Sequence, residues 1–272
     1  MNEEQLQIRI HGDDSKPTLI YLPGIHGDWT LVSSFREQMK PHVRFVEFTY
    51  PRTLEWSLDD YANAVLEALA EHNIREGIVL GESFGSQIAW PILSKCMEGR
   101  HSSRPDDEQG DKNVAFPFTP QALILSGGFV RYPFMPLVDF TRFIWSIMPE
   151  RLIRLGFWGY AKFARWRHRH AHETAAAITE FITRRTPEDL LAIGHRFKLI
   201  RENNPGELAR QIQIPVFQLA GFWDPVVNFP AVRRWLQANC PGYRAPHVIP
   251  MADHNVLGTA PEQSADAVRN WI

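Results

Sequence analysis

The 272-residue chain has only two cysteines, Cys96 and Cys240, which lie far apart and outside any metal-ligand spacing. A disulfide framework and a zinc module are therefore excluded, and a reducing, cytoplasmic setting is expected. No apolar run is long enough to span a bilayer, and Met1-Asn2-Glu3-Glu4-Gln5 is acidic and polar where a secretory leader would be basic. An excess of either charge is also missing: 29 Lys and Arg against 31 Asp and Glu leave a formal net charge of −2. The overall balance makes no electrostatic case for nucleic acid or for a membrane surface as partner. There is no internal repeat, metal-ligand cluster or phosphate-binding glycine loop, so the expected chemistry needs no metal and no cofactor.

What is present centres on Gly77-Ile78-Val79-Leu80-Gly81-Glu82-Ser83-Phe84-Gly85-Ser86. An apolar, β-branched run stops at a glycine, a serine follows two residues on, and a second glycine precedes an apolar helical stretch beginning near Gln87. This is the G-x-S-x-G pattern of a nucleophile elbow. A serine hydroxyl can attack a carbonyl only if it projects from a tight strand-to-helix turn, and Gly81 and Gly85 remove the side chains that would block that turn. The helix that follows aims its N-terminal N–H groups at the site, where they favour developing negative charge. Three fixed positions recur by chance in chains of this size, so the surrounding segments must carry the reading.

Those segments alternate strand and helix. Leu6, Ile8 and Ile10 alternate with polar residues as an edge strand does, and Thr18-Leu19-Ile20-Tyr21-Leu22 is a continuous apolar strand of a parallel sheet. It ends in Pro23-Gly24-Ile25-His26-Gly27-Asp28, a turn-rich loop in which Asp28 is placed to cap a helix from Trp29, and His26 reads as a loop residue rather than a base. Residues 43–48 form the next strand. Ser57 and Asp60 then make a capping box for a helix carrying Tyr61, Ala62, Val65, Leu66 and Leu69. Pro91 should kink the helix after the elbow, and the polar residues 98–113 read as a solvated surface loop. A further strand, at residues 122–126, ends in Ser126-Gly127-Gly128.

Residues 129–204 change in texture. They show no convincing strand, are rich in aromatic and basic residues, and carry one clear helix start at Thr186-Pro187-Glu188-Asp189. This predicts a helical insertion whose aromatics serve mainly for packing. The sheet resumes at residues 214–221, followed by Asp224 in a Phe222-Trp223-Asp224-Pro225 turn. A short strand at residues 247–250 precedes His254, and Thr259 is placed to cap the last helix.

Ser83, Asp224 and His254 thus occur in the chain order nucleophile, acid, base, each directly after a strand, and the carboxyl ends of parallel strands share one edge where ligands bind. On these residues the chain resembles the α/β-hydrolase superfamily over nearly its whole length. The resemblance implies a mostly parallel, doubly wound sheet built from residues 1–128 and 205–272, with residues 129–204 inserted as a helical cap. It implies that Ser83 attacks, that His254 takes and returns the proton, that Asp224 orients the imidazole, and that the N–H groups of Ile25 and Phe84 form an oxyanion hole. Pro23-Gly24 stands where many relatives have His-Gly.

A serine at the elbow argues against the branches of that fold that use aspartate there. The expected reaction is hydrolysis of a carboxylic ester or related small acyl substrate. Thioester or carbon–carbon bond cleavage is the alternative within the fold, and an inactive ligand-binding protein is the alternative outside enzymology. One expectation concerns substrate charge. Between Arg131 and Arg201, thirteen Lys and Arg outnumber Asp and Glu about two to one, and the run Arg165-Trp166-Arg167-His168-Arg169-His170 combines cations with an aromatic face. Such a run suits a carboxylate or phosphate on the substrate.

Overall fold

The computed structural model describes residues 5–102, 118–167, 179–181, 183 and 185–272. Seven strands form one sheet: β1 (Gln7–His11), β2 (Thr18–Leu22), β3 (Arg44–Thr49), β4 (Glu76–Glu82), β5 (Thr119–Ser126), β6 (Val216–Gly221) and β7 (Tyr243–Ile249). Their spatial order is β1-β3-β2-β4-β5-β6-β7. Only β1 is antiparallel, pairing with β3 at the edge; the other neighbours are parallel.

Alternation along the strands divides the core into two. Ile20, Leu22, Val46, Phe48, Val79, Leu123 and Leu125 point to one face, against α2 (Leu58–Glu71) and α3 (Gly85–Ser102). Leu19, Tyr21, Phe45, Leu80 and Ile124 point to the other, with α1 (Ser33–Met39) and the C-terminal helix Pro261–Arg269 covering them. Because both faces are buried there, residues 19–22 of β2, 77–81 of β4 and 122–125 of β5 read as unbroken apolar runs. Each fully buried Leu, Ile, Val or Phe in them contributes roughly 1.5–3 kcal/mol of transfer free energy.

Between β5 and β6 the chain leaves the sheet and forms α4 (Met135–Ile147), α5 (Glu150–Arg167) and α6 (Pro187–Glu202), with no strand among the described residues there. Helix α6 begins at the expected capping box, in which Thr186 accepts from the Asp189 N–H and Asp189 from the Thr186 N–H. Helix α2 begins the same way at Ser57 and Asp60.

Several local expectations are corrected. The polar residues 98–102 do not leave the elbow helix, since α3 runs unbroken through Pro91 to Ser102; the rest of that polar segment lies outside the described residues. Asp28 accepts from the Thr30 N–H, but the first turn after it is a short 3₁₀ segment, Thr30–Val32, and the α-helix starts at Ser33. The strand before His254 is longer than expected because its start, Tyr243-Arg244-Ala245, is half exposed at the sheet edge and lacks an apolar signature. Thr259 does not cap the final helix: its hydroxyl bonds the Asn255 carbonyl at 2.8 Å and Asp253 at 3.2 Å, and Ala260 occupies the cap position. The insertion's aromatics are not mainly packing residues either. Trp145 packs on Phe197, yet Phe134, Phe140, Phe143, Trp158, Phe163 and Trp166 are exposed.

Candidate active site

The elbow is built as its glycines require. A Cβ at Gly85 would lie 2.1 Å from the Leu22 carbonyl oxygen, so only glycine lets α3 start directly beside the end of β2. Ser83 follows β4 with φ +48°, a left-handed conformation that an L residue adopts only under constraint. The constraint is visible: the Ser83 N–H bonds the Ser126 carbonyl at 2.9 Å, and the Ser86 N–H and hydroxyl donate to the Ser83 carbonyl at 3.0 and 2.6 Å.

The carboxyl ends of β6 and β7 bring Asp224 and His254 to the same place. Gly221 at the end of β6 lies under the His254 loop, where a Cβ would sit 2.1 Å from the Asp253 carbonyl oxygen. The Trp223 N–H donates to the Ala252 carbonyl at 3.0 Å, tying the two loops together. Asp224 Oδ1 accepts the N–H groups of Val226 and Val227 at 2.8 and 2.9 Å, which leaves Oδ2 for His254 Nδ1 at 2.8 Å. His254 Nε2 lies 2.8 Å from Ser83 Oγ. The three residues singled out in the sequence therefore form one hydrogen-bonded chain. Asp253 is turned elsewhere, its Oδ1 accepting from the Asn255 N–H and the Thr259 hydroxyl.

Electrostatics favour a proton on His254. Burial opposes its charge, but the hydrogen bond and negative charge of Asp224, aided by Glu82 and Asp253, outweigh burial and raise the imidazole above its ordinary value. Glu82 itself is buried beside Ser83 and accepts from the Tyr21 hydroxyl, whose own ionisation is pushed well up by burial and by that carboxylate.

The loop between Pro23 and Asp28 borders the same space: a Cβ on Gly24 would meet Ser83 Cβ at 3.6 Å and the His26 ring at 3.3 Å. Among the described residues, neither the Ile25 nor the Phe84 N–H has an acceptor, so both backbone donors remain open beside the serine. His26 is a loop residue as expected. Its Nε2 bonds the Asp28 carbonyl at 2.8 Å, its ring meets Phe181 edge-on, and burial with Arg185 nearby lowers its basicity.

Sequence reasoning missed what holds this loop. Arg196 of α6, 2% exposed, donates to the Ile25 carbonyl at 2.9 Å and the Pro51 carbonyl at 3.2 Å. Arg185 donates to the His26 carbonyl at 3.1 Å and pairs with Asp28, while Arg52 pairs with Asp189 at 2.7 Å. A signal existed, because Asp189, Ile193, Arg196 and Ile200 recur at helical spacing and all are buried, so a cation stood within an apolar stripe. Of the basic run, residues 165–167 continue α5, and His168-Arg169-His170 lie outside the described residues.

No protein-family model matches the sequence, and no curated protein matches it either. Solved structures do resemble the fold. A hydrolase from Pseudomonas aeruginosa PA01 superposes with a TM-score of 0.73 at 17% identity, over 98% of this chain and 93% of the other. An esterase from Exiguobacterium antarcticum does so with a TM-score of 0.73 at 14% identity, over 98% and 94% of the two chains. The enol-lactonase from Burkholderia xenovorans LB400 gives 0.72 at 14%, over 98% and 95%. The fold is that of the α/β hydrolases, with helices inserted between β5 and β6.

Proposed function

We propose that the chain is a serine hydrolase acting on a carboxylic ester or related small acyl substrate, with Ser83 as nucleophile. The observation that carries this reading is the hydrogen-bonded chain from Ser83 Oγ through His254 to Asp224, beside two open backbone donors. As Oγ attacks the acyl carbon, His254 Nε2 takes its proton, and the Asp224 carboxylate fixes the ring and stabilises the imidazolium. The N–H groups of Ile25 and Phe84 receive the oxyanion. Collapse of the tetrahedral intermediate breaks the bond to the leaving oxygen, which takes the proton from His254 and departs as an alcohol. Water then attacks the acyl-serine, losing a proton to His254; the carboxylic acid leaves and Ser83 regains its proton. Residues 129–204 act as the cap over this site. Buried Cys96 and Cys240, neither in a disulfide, suit a reducing, cytoplasmic setting.

An anionic substrate is not part of this reading. Arg52 and the insertion's Arg185 and Arg196, the cations at the loop, already serve Asp189, Asp28 and backbone carbonyls. The test is a screen of neutral esters and thioesters of graded acyl size. Turnover of at least one class by wild type, absent in Ser83→Ala, is expected; no turnover in any class, with no labelling of Ser83 by a phosphonate, leaves only a ligand-binding role.

A further inference from the structure

Two helices of the insertion turn their apolar sides outward. In α4, Val138 is buried and Trp145 packs on α6, its Nε1 donating to the Leu190 carbonyl at 3.0 Å. Phe140, Phe143 and Ile147 follow one another at i, i+3 and i+7, forming a stripe on the opposite side of the helix, and are 58–60% exposed. In α5, Leu155, Trp158, Lys162 and Trp166 form another such stripe, flanked by Leu152 and Phe163; these five apolar residues are 49–62% exposed. Eight half-exposed large side chains on the two helices sum to on the order of 800 Å² of apolar surface.

Cations share the α5 face. Arg151 lies on the α5 stripe, and Lys162 Nζ sits 3.8 Å from the Trp158 ring centroid. Residues 151–167 contain no Asp or Glu. Residues 131–167 carry five net positive charges, seven Lys and Arg less Asp139 and Glu150, leaving the other residues seven net negative. Asp139 is itself paired with Arg201 at 2.6 Å. The near-neutral total that gave no electrostatic case for a membrane surface conceals a molecule polarised toward this insertion.

We propose that the outer faces of α4 and α5 dock on an anionic lipid surface, the aromatic and aliphatic side chains entering the headgroup boundary and the cations meeting lipid phosphates. No described helix is long and apolar enough to cross a membrane, so the helices lie along the surface. Trp and Phe on an apolar face with Lys and Arg beside them are what such a boundary takes. A second copy of the chain is the poorer occupant. A two-fold interface on these faces would set Arg151 and Lys162 of both copies against one another, with no carboxylate in residues 151–167 to offset them. This inference does not depend on Ser83 being catalytic.

The experiment is sedimentation of the full chain with vesicles of phosphatidylcholine alone and of phosphatidylcholine mixed with phosphatidylglycerol, at low and high salt. Binding should favour the anionic vesicles and weaken as salt screens the cations. Arg151→Gln with Lys162→Gln should lower anionic binding on the order of tenfold. Phe140→Ser with Phe143→Ser should abolish it at either salt; both residues are exposed, so thermal unfolding should show the fold intact. Absence of binding to either vesicle overturns the proposal, as does binding that the serine variants retain. A concentration-dependent dimer that those variants dissolve, with no vesicle binding, assigns the faces to a second copy instead.

Discussion

Ser83 combines chemical usefulness with conformational strain. A left-handed φ costs an L residue about 1 kcal/mol or more, a cost glycine escapes. Ser83→Gly should therefore raise stability by roughly 1 kcal/mol, or about 2–4 °C in Tm for a chain of this length, while abolishing turnover. An unchanged or lower Tm in calorimetry would show that the elbow stores no strain. His254 governs the pH response. Its raised pKa keeps the imidazole protonated to a pH above 6.5, so kcat/KM should climb through a midpoint above that value as the base becomes neutral. The same shift means that protonated His254 stabilises the fold below the unfolded value near 6.5, a contribution lost as pH rises through the folded one. Asp224→Asn should cut turnover on the order of 10⁴-fold. Glu82→Gln, which removes a second anion without breaking the serine–histidine contact, should leave turnover measurable and lower the midpoint. A midpoint that does not move assigns the shift to Asp224 and Asp253 without Glu82.

At the scale of elements, the loop from Pro23 to Asp28 is shaped by the insertion as much as by the sheet. Arg196 holds the carbonyl of Ile25, the residue whose N–H is offered as an oxyanion donor. Arg196→Met keeps much of the side-chain bulk but loses both carbonyl contacts. It should lower kcat on the order of 10²-fold with a smaller change in KM, and Arg196→Lys should recover part of the loss. Equal kcat in all three proteins would make Arg196 a packing residue only. Arg185 and Asp28 form the second tie. Burial disfavours the Asp28 carboxylate, yet Arg185, His26 and the hydrogen bonds from Thr30 together more than offset it and hold the pKa at about 2. That pair stabilises the fold above the unfolded value of 3.8, and the stabilisation is lost as pH falls toward 2. Arg185→Gln should shift acid unfolding to higher pH, as followed by circular dichroism. The sequence made the capping boxes at Ser57 and Thr186 readable because a helix start is a local hydrogen-bonding problem. It did not make the partners of the arginine ties readable, because Arg196 donates to backbone carbonyls, which carry no residue signature, and Asp28 and Asp189 lie 157 and 137 positions from the arginines they pair with. Helix α3 overran residues 98–102 for a related reason, since a solvated helical turn and a solvated loop share the same polar composition.

Across the whole molecule, burial is graded along the sheet. Strands β2 and β4 and the part of β5 from Ala122 on are buried on both faces, whereas β1 is half exposed and the first part of β7 is half exposed or exposed. Amide hydrogen exchange should be slowest in β4 and β5 and faster in β1 and β7. Uniform protection across all seven would mean that the edges are covered in solution. This gradient also explains what was legible at this scale. Unbroken apolar runs marked the central strands and, after β4, the position of Ser83, whereas Asp224 and His254 were marked by shorter runs that end in turns. The outward-facing aromatics of α4 and α5 were not distinguishable from core aromatics, because periodicity shows that a helix has an apolar face but not which way that face points. The account rests on Ser83 being the nucleophile, and intact-mass analysis after treatment with a fluorophosphonate tests that most directly. A single adduct on the wild-type chain that Ser83→Ala lacks, and that His254→Ala forms far more slowly, is the predicted result; equal labelling of wild type and Ser83→Ala would contradict it.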